Sequence, residues 1–141
     1  MIVVDSSVWI EAQRRPSGGH ARQLGSLLDA DEVALALPVR LELLAGIARR
    51  DRAAFERALS ALPLIRPSDE TWSLIERWVP VAADKGHRFA LADLLIGALA
   101  AEIGGLVWSL DADFEQMERM KFVQRYESAA RSRVVFEGRR G

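Results

Sequence analysis

Four short apolar runs punctuate the chain: IVV at 2–4, VALAL at 33–37, LIR at 64–66 and LVWSL at 106–110. Each is followed by one or two segments in which apolar residues recur every three or four positions. The runs are too short for buried helices, and their lack of polar alternation suits strands covered on both faces. Strands that alternate with helices predict an α/β domain, with a mainly parallel central sheet flanked by helices on both sides. KFVQRY (121–126) is expected to supply a last strand.

Punctuation places the helices. Ser7 to Gln13 forms the first, anchored by Val8 and Trp9, and RRPSGGH (14–20) reads as a loop. Ala21 to Asp29 is helical, with Leu24, Leu27 and Leu28 on one face. Pro38 suits a first helical turn and opens a helix running to Arg50, after which Asp51 caps another. Ser68, with Glu70 and Thr71, starts a helix through Trp72, Ile75 and Val79 that Pro80 is expected to kink or end. A small-residue helix, ALADLLIGALAAEIGG (90–105), closes on glycine, and DADFEQMERM (111–120) forms a short last one.

Composition narrows the class. The chain has 141 residues, enough for one domain with its own core, and its net charge of −1 gives no overall field for a polyanion. Nucleic-acid binding would have to come from local basic clusters. Cysteine is absent, which excludes a disulfide scaffold, a thiolate zinc site and a cysteine nucleophile, and suits a cytoplasmic setting. No signal peptide or membrane-spanning run is visible; the longest candidate is broken by Glu102 and two glycines.

Against this background four acids stand in unusual places. Asp5 follows IVV directly and Asp111 follows LVWSL directly, while Glu42 and Asp93 lie inside otherwise apolar helices. An unpaired carboxylate leaving water is costly, and no Lys or Arg precedes Arg14. Taken singly, Asp5 and Asp111 could be helix caps, and Glu42 could pair with Arg40 or Arg49 at the surface. Taken together they could converge, because the carboxyl ends of parallel strands share one edge and α/β folds build their sites there. Glu42 has Ala45 and Gly46 on its helical face, and Asp93 has Ala90, Gly97 and Ala100. Such stripes either admit close packing or leave a cleft above the carboxylate.

Crowded carboxylates repel one another, and a hard divalent cation removes that penalty. Mg²⁺ prefers oxygen ligands and keeps several waters, so it suits a loose carboxylate cluster. It would activate a water as nucleophile and stabilise charge on a phosphoryl oxygen, which points to phosphodiester hydrolysis. Ser6, Ser7 and Ser109 could orient the carboxylates or that water.

IVVDSSVWIE, LPVRLELLAGI, ALADLLIGALAAEIG and WSLDADFEQM, in this order, resemble the PIN-domain family, and within it the VapC-type ribonuclease toxins of toxin–antitoxin pairs. The resemblance runs from Met1 to about Tyr126, making 1–126 a PIN-like ribonuclease domain and 127–141 an arginine-rich C-terminal tail beyond it. It implies a Mg²⁺- or Mn²⁺-dependent endoribonuclease that forms a homodimer. It also implies a VapB-like antitoxin that wraps the toxin and occludes the site. Carried over by position, the resemblance makes Asp5 and Asp93 the principal metal ligands, with Glu42 and Asp111 completing an acidic quartet. Ser109 takes the place of a hydroxyl residue that helps hold it, and Asp111 is the better match of the two aspartates in SLDADF. That leaves Asp113 as N-cap of the following helix, with Gln116 three residues on as in a capping box.

Arg14, Arg15, Arg40 and Arg88 are the candidate contacts to RNA phosphates, where they would add affinity with little sequence reading. His20 and His87 flank loop glycines and are not assigned catalytic roles. Trp9, Trp72, Trp78 and Trp108 read as core or dimer anchors rather than base-stacking platforms. The competing function is a non-catalytic RNA- or partner-binding module on the same fold. A phosphoacceptor receiver is set aside, because Ser6 and Ser7 follow Asp5 where it needs an acidic pair, and LVWSL lacks a lysine.

Overall fold

In a computed structural model, which describes residues 1–127, β1 (Ile2–Val4) is the middle strand of a five-stranded sheet. Its neighbours are β2 (Val33–Ala36) on one side and β4 (Leu106–Trp108) on the other, with β3 (Leu64–Ile65) and β5 (Gln124–Arg125) at the edges. The order is β3-β2-β1-β4-β5 and every pairing is parallel. Ile2 pairs with Val33 and Leu106, and Val4 with Trp108. β1 and β2 are buried along their whole length, which is why they read as unbroken apolar runs.

The connections are α1 (Ser6–Arg14) and α2 (Gly19–Asp29) after β1, then α3 (Leu37–Gly46) and α4 (Arg52–Ser60) after β2. α5 (Asp69–Asp84) and α6 (Leu91–Glu102) carry the chain from β3 across to β4, and α7 (Asp113–Arg119) leads to β5. The chain moves outward from β1 to β3, then returns over the sheet to β4 and β5. Right-handed crossovers therefore put α1–α4 on one face and α5–α7 on the other. The packing agrees: α1 meets α2 and α3, and α3 meets α4, whereas α6 meets α5 and α7. The direction of winding reverses between β1 and β4, and there α3 also meets α6.

Several expected boundaries shift. His20 lies within α2 rather than in a loop. α3 stops at Gly46, and a 3₁₀ turn at Arg49–Asp51 leads into α4. The Asp51 side chain makes no cap bond and lies 3.7 Å from Arg50 instead. α5 continues through Pro80 to Asp84, because Trp78 and Ala82 on either side of the proline are both buried in the core. Its start is as expected: the Ser68 N–H donates to Thr71 Oγ1 at 2.9 Å.

α6 ends in a Schellman motif. Gly104, at φ +64, donates to the Ala101 carbonyl, and Gly105 to that of Ala100. Midway along α6, a Cβ at Gly97 would come within 3.1 Å of Val123, 3.3 Å of Met117 and 3.5 Å of Trp78. Trp78 in turn stacks on Phe122, with ring centroids 4.6 Å apart. Trp9, Trp78 and Trp108 are core residues as expected, but Trp72 is exposed.

Candidate active site

Asp5 is the residue after β1, and its own N–H donates to the Trp108 carbonyl of β4 at 2.8 Å. Only 5% of it is exposed, so its carboxylate must be satisfied from within. It occupies the N-cap position of α1 but makes no side-chain cap bond. Instead Oδ2 accepts from the Ser7 and Ser109 hydroxyls, each at 2.7 Å. Those hydroxyls accept in turn from the backbone: Ser7 Oγ from the Leu110 N–H and Ser109 Oγ from the Asp111 N–H, both at 3.0 Å. The two serines thus fasten the loop leaving β4 to the end of β1. A third serine reaches further, as Ser6 Oγ donates to Glu42 Oε2 on α3 at 2.8 Å.

The opposite wall comes from α6. Asp93 sits in its first turn, half-buried, where a helix N-terminus would ordinarily favour a charged carboxylate. Its surroundings outweigh that. The Asp93 carboxyl is pushed up from an ordinary 3.8 to about 6, first by burial, then by the negative charges of Asp111, Asp5, Asp113 and Glu42, in that order. The other three expected acids are therefore within electrostatic reach of Asp93, and a fifth acid, Asp113, joins them. Asp93, Asp111 and Asp113 each offer a carboxylate oxygen, and these atoms lie within 4.8 Å of one another.

The division of labour expected within SLDADF is not what the fold adopts. α7 begins at Asp113 itself, with Ala112 in the N-cap position, and no capping box forms with Gln116. Asp111 closes the turn: its Oδ1 accepts the Asp113 N–H at 2.9 Å, and its carbonyl accepts the Phe114 N–H at 3.3 Å. Residue spacing could not separate the two aspartates, because an Asx turn and an N-cap draw on the same residue types. Asp111 takes the turn, and Asp113 is free to join the cluster.

The stripes of small residues have different fates. Gly97, one turn beyond Asp93, is packed against, whereas a Cβ at Gly46, one turn beyond Glu42, would meet nothing within 4 Å. The space above Glu42 is open, and the core beneath Asp93 is closed. Around the site Leu41, Leu91 and Leu110 are exposed, at 58%, 56% and 47%. Sequence reasoning passed over these leucines. Their signal was position, since each stands within two residues of Glu42, Asp93 or Asp111.

The candidate phosphate contacts are dispersed. Arg15 is 3.4 Å from Glu11, Arg40 is 3.8 Å from Glu56 on α4, and Arg14 is exposed in the last turn of α1. Arg88 lines a cavity with Val79, His87, Phe89 and Leu94, on the α5 side of α6. His20 packs near Trp108, with ring centroids 6.1 Å apart, and His87 stacks on Phe89. None of these side chains hydrogen-bonds to the acids among the described residues.

The site is thus an oxygen-only cluster at the reversal point of a doubly wound parallel sheet, with the pKa of one carboxyl raised by burial and by its neighbours. The PIN domain profile covers residues 2–120. The chain belongs to the PIN domain family. Among curated proteins, ribonuclease VapC18 of Mycobacterium tuberculosis is 31% identical over 119 residues, spanning 81% of this chain and 85% of that protein. Ribonuclease VapC11 of the same organism is 28% identical over 129 residues, spanning 88% and 96%. Among solved structures, VapBC2 of Rickettsia felis bound to a promoter DNA fragment superposes with a TM-score of 0.73. It is 17% identical, over 89% of this chain and 98% of that one, a likeness of fold alone. This PIN domain has no helix long and apolar enough to cross a membrane among its described residues.

Proposed function

We propose that this PIN domain is a metal-dependent endoribonuclease, acting in the cytoplasm as the toxin of a toxin–antitoxin pair. The observation that carries the reading is the Asp93 carboxyl, held near 6 by burial and by four neighbouring acids. A cluster of this kind is uncomfortable in the metal-free protein and fits a hard divalent cation, Mg²⁺ or Mn²⁺, through oxygen ligands alone. Asp5, Asp93, Asp111 and Glu42 are the residues that would hold it, with Asp113 beside them. When bound, such an ion neutralises the carboxylates and stabilises charge building on a phosphoryl oxygen. The protein's own part is positional. Ser7 and Ser109 hold Asp5 and the loop after β4 in register, and Ser6 holds Glu42. Relatives named as VapC ribonucleases support RNA as the substrate.

The toxin role draws on the VapBC complexes that share the fold, and so does an antitoxin partner. Leu41, Leu91 and Leu110 offer such a partner apolar contacts beside the acids, whose charge invites an arginine or lysine from outside. We extend the proposal to a homodimer on the same family grounds.

The test has two arms. The purified chain should cleave single-stranded RNA with Mg²⁺ or Mn²⁺ and stop in excess chelator; equal cleavage in chelator refutes the metal reading. Expression of the wild-type chain alone should arrest growth, and expression of Asp5→Asn should not. Equal arrest by both places the toxicity elsewhere and favours a binding module.

A further inference from the structure

A cavity between α5 and α6 is separate from the acids yet begins beside them. Its volume is about 370 Å³, within the range of about 300–1,000 Å³ usual for small-ligand pockets. Val79, Ala82 and Ala83 of α5 line it on one side, and Phe89 and Leu94 complete the apolar lining. The end of α5 is closed by a second Schellman motif. Gly86, at φ +78, donates to the Ala83 carbonyl and His87 to that of Ala82, each at 2.9 Å. That turn brings His87, Arg88 and Phe89 back to the cavity. A Cβ at Gly86 would meet nothing within 4 Å, so the cavity is open on that side. Its other walls are fixed, because Ala82, Phe89 and Leu94 are all buried in the core.

The polar groups at this cavity are few. His87 stacks on Phe89, with ring planes 1° apart and centroids 5.6 Å apart. Arg88 is exposed and makes no ion pair among the described residues, whereas Arg15, Arg40 and Arg125 are engaged by Glu11, by Glu56 and by Glu115 with Glu118. The stretch DKGHR, 84–88, carries two cations against one acid. An apolar slot with a parallel aromatic pair and an exposed guanidinium suits a flat ring joined to an anion, which is the chemistry of a nucleotide. Single-stranded RNA offers it, since its unstacked bases turn out and settle on aromatic rings and arginine planes. Position agrees. Leu94 follows Asp93 on α6, about 3.8 Å away between Cα atoms and about 100° around the helix. The cavity therefore lies beside the acidic cluster but on another side of α6, where it would meet a nucleotide flanking the scissile bond.

We propose that this cavity binds one base of a single-stranded RNA substrate, beside the cut, with Arg88 on the phosphate of that nucleotide. The site rests on the ribonuclease reading for its substrate, but not for its test. The probe is a short labelled single-stranded RNA oligonucleotide, titrated with the full chain in excess chelator at several KCl concentrations. Ala83→Leu, at an exposed helical position, fills the cavity and should weaken binding roughly tenfold, the scale of one lost stacking contact. Removing single bases along the oligonucleotide should find a position where wild-type affinity falls as far and where Ala83→Leu loses nothing more. Arg88→Gln should flatten the salt dependence by about 0.7 in log–log slope, the loss of one phosphate contact, and Arg88→Lys should restore it. Melting temperatures should match throughout. Unchanged affinity in Ala83→Leu overturns the site, and so does base removal that weakens this variant as much as the wild type. A shift of Ala83→Leu from dimer to monomer with RNA affinity intact also overturns it, and makes the cavity a seat for a second copy of the chain. Cavity-dependent binding by a chain that never cleaves RNA in Mg²⁺ or Mn²⁺ upholds the site and defeats the ribonuclease reading.

Discussion

Two stretches of α6, one turn apart, are built on opposite terms. At Gly97 the helix is packed as tightly as it can be, with Val123, Met117 and Trp78 filling the space a side chain would need. At Asp93 it presents a half-buried carboxyl to four other acids, which with burial raise its pKa to about 6, and no side chain among the described residues hydrogen-bonds to it. The first stretch is complete within the chain. The second carries unfavourable charge among the described residues. A rigid helix seated by its close-packed middle can hold an unfavourable charge at its end, and that is how a site is kept ready.

The comparison breaks most sharply at Asp93. Asp93→Asn should lower metal-dependent RNA cleavage by roughly 100-fold or more, the scale of losing a group that organises transition-state charge. The variant should remain folded. A variant with full activity would show that the strained end of α6 has no part in the chemistry. Next come the two aspartates after β4. Asp111→Asn and Asp113→Asn should each reduce cleavage, by roughly tenfold or more, since both carboxylates lie with Asp93. Asparagine at 111 can still accept the Asp113 N–H, so stability should change little there, whereas Asp111→Ala should cost about 1 kcal/mol in a thermal melt. If Asp113→Asn retains full activity, the cluster ends at Asp111.

The third test reads the strain directly. A carboxyl whose folded pKa is raised favours the folded state while protonated, and that contribution is present below about 4 and lost as pH rises through about 6. In chelator, the wild type should therefore lose stability relative to Asp93→Asn between those two pH values. Because Asp93 is only half-buried and partly screened, the difference should be on the order of 1 kcal/mol rather than the full value of the shift. Mg²⁺ or Mn²⁺ should restore it at pH 7 in the wild type and do less in the variant. Parallel melting curves for the two proteins would contradict the strained-carboxyl account. The smallest effect belongs to the packed stretch. Gly97→Ala gains helix propensity of up to about 1 kcal/mol but forces Val123 and Met117 to give way, so the net loss should be about 1 kcal/mol. Cleavage by the folded fraction should be unaffected, and a large loss of activity would mean that the two stretches are coupled.

Much of this was legible in the residues themselves. Short unbroken apolar runs were legible as strands, buried throughout in β1 and β2 and partly in β3, and their alternation with helices pointed to the parallel sheet. Asp5, Glu42, Asp93 and Asp111 were conspicuous because charge in an apolar setting is improbable without a purpose. Three things needed the fold. Local rules kinked or ended α5 at Pro80 and capped α7 with Asp113, but burial of Trp78 and Ala82 carries α5 on to Asp84, and the Asx turn of Asp111 releases the second aspartate. The links of Ser109 to Ser7 and to Asp5 join residues 102 and 104 positions apart. Such a separation is set by strand order and register, to which local propensity is blind. The level ends of β1, β4 and β5 likewise follow from the parallel pairing of β4 with both neighbours. The sequence alone singled out four candidate acids; tertiary packing decided which acids meet and added Asp113, because meeting depends on the path of the chain between them.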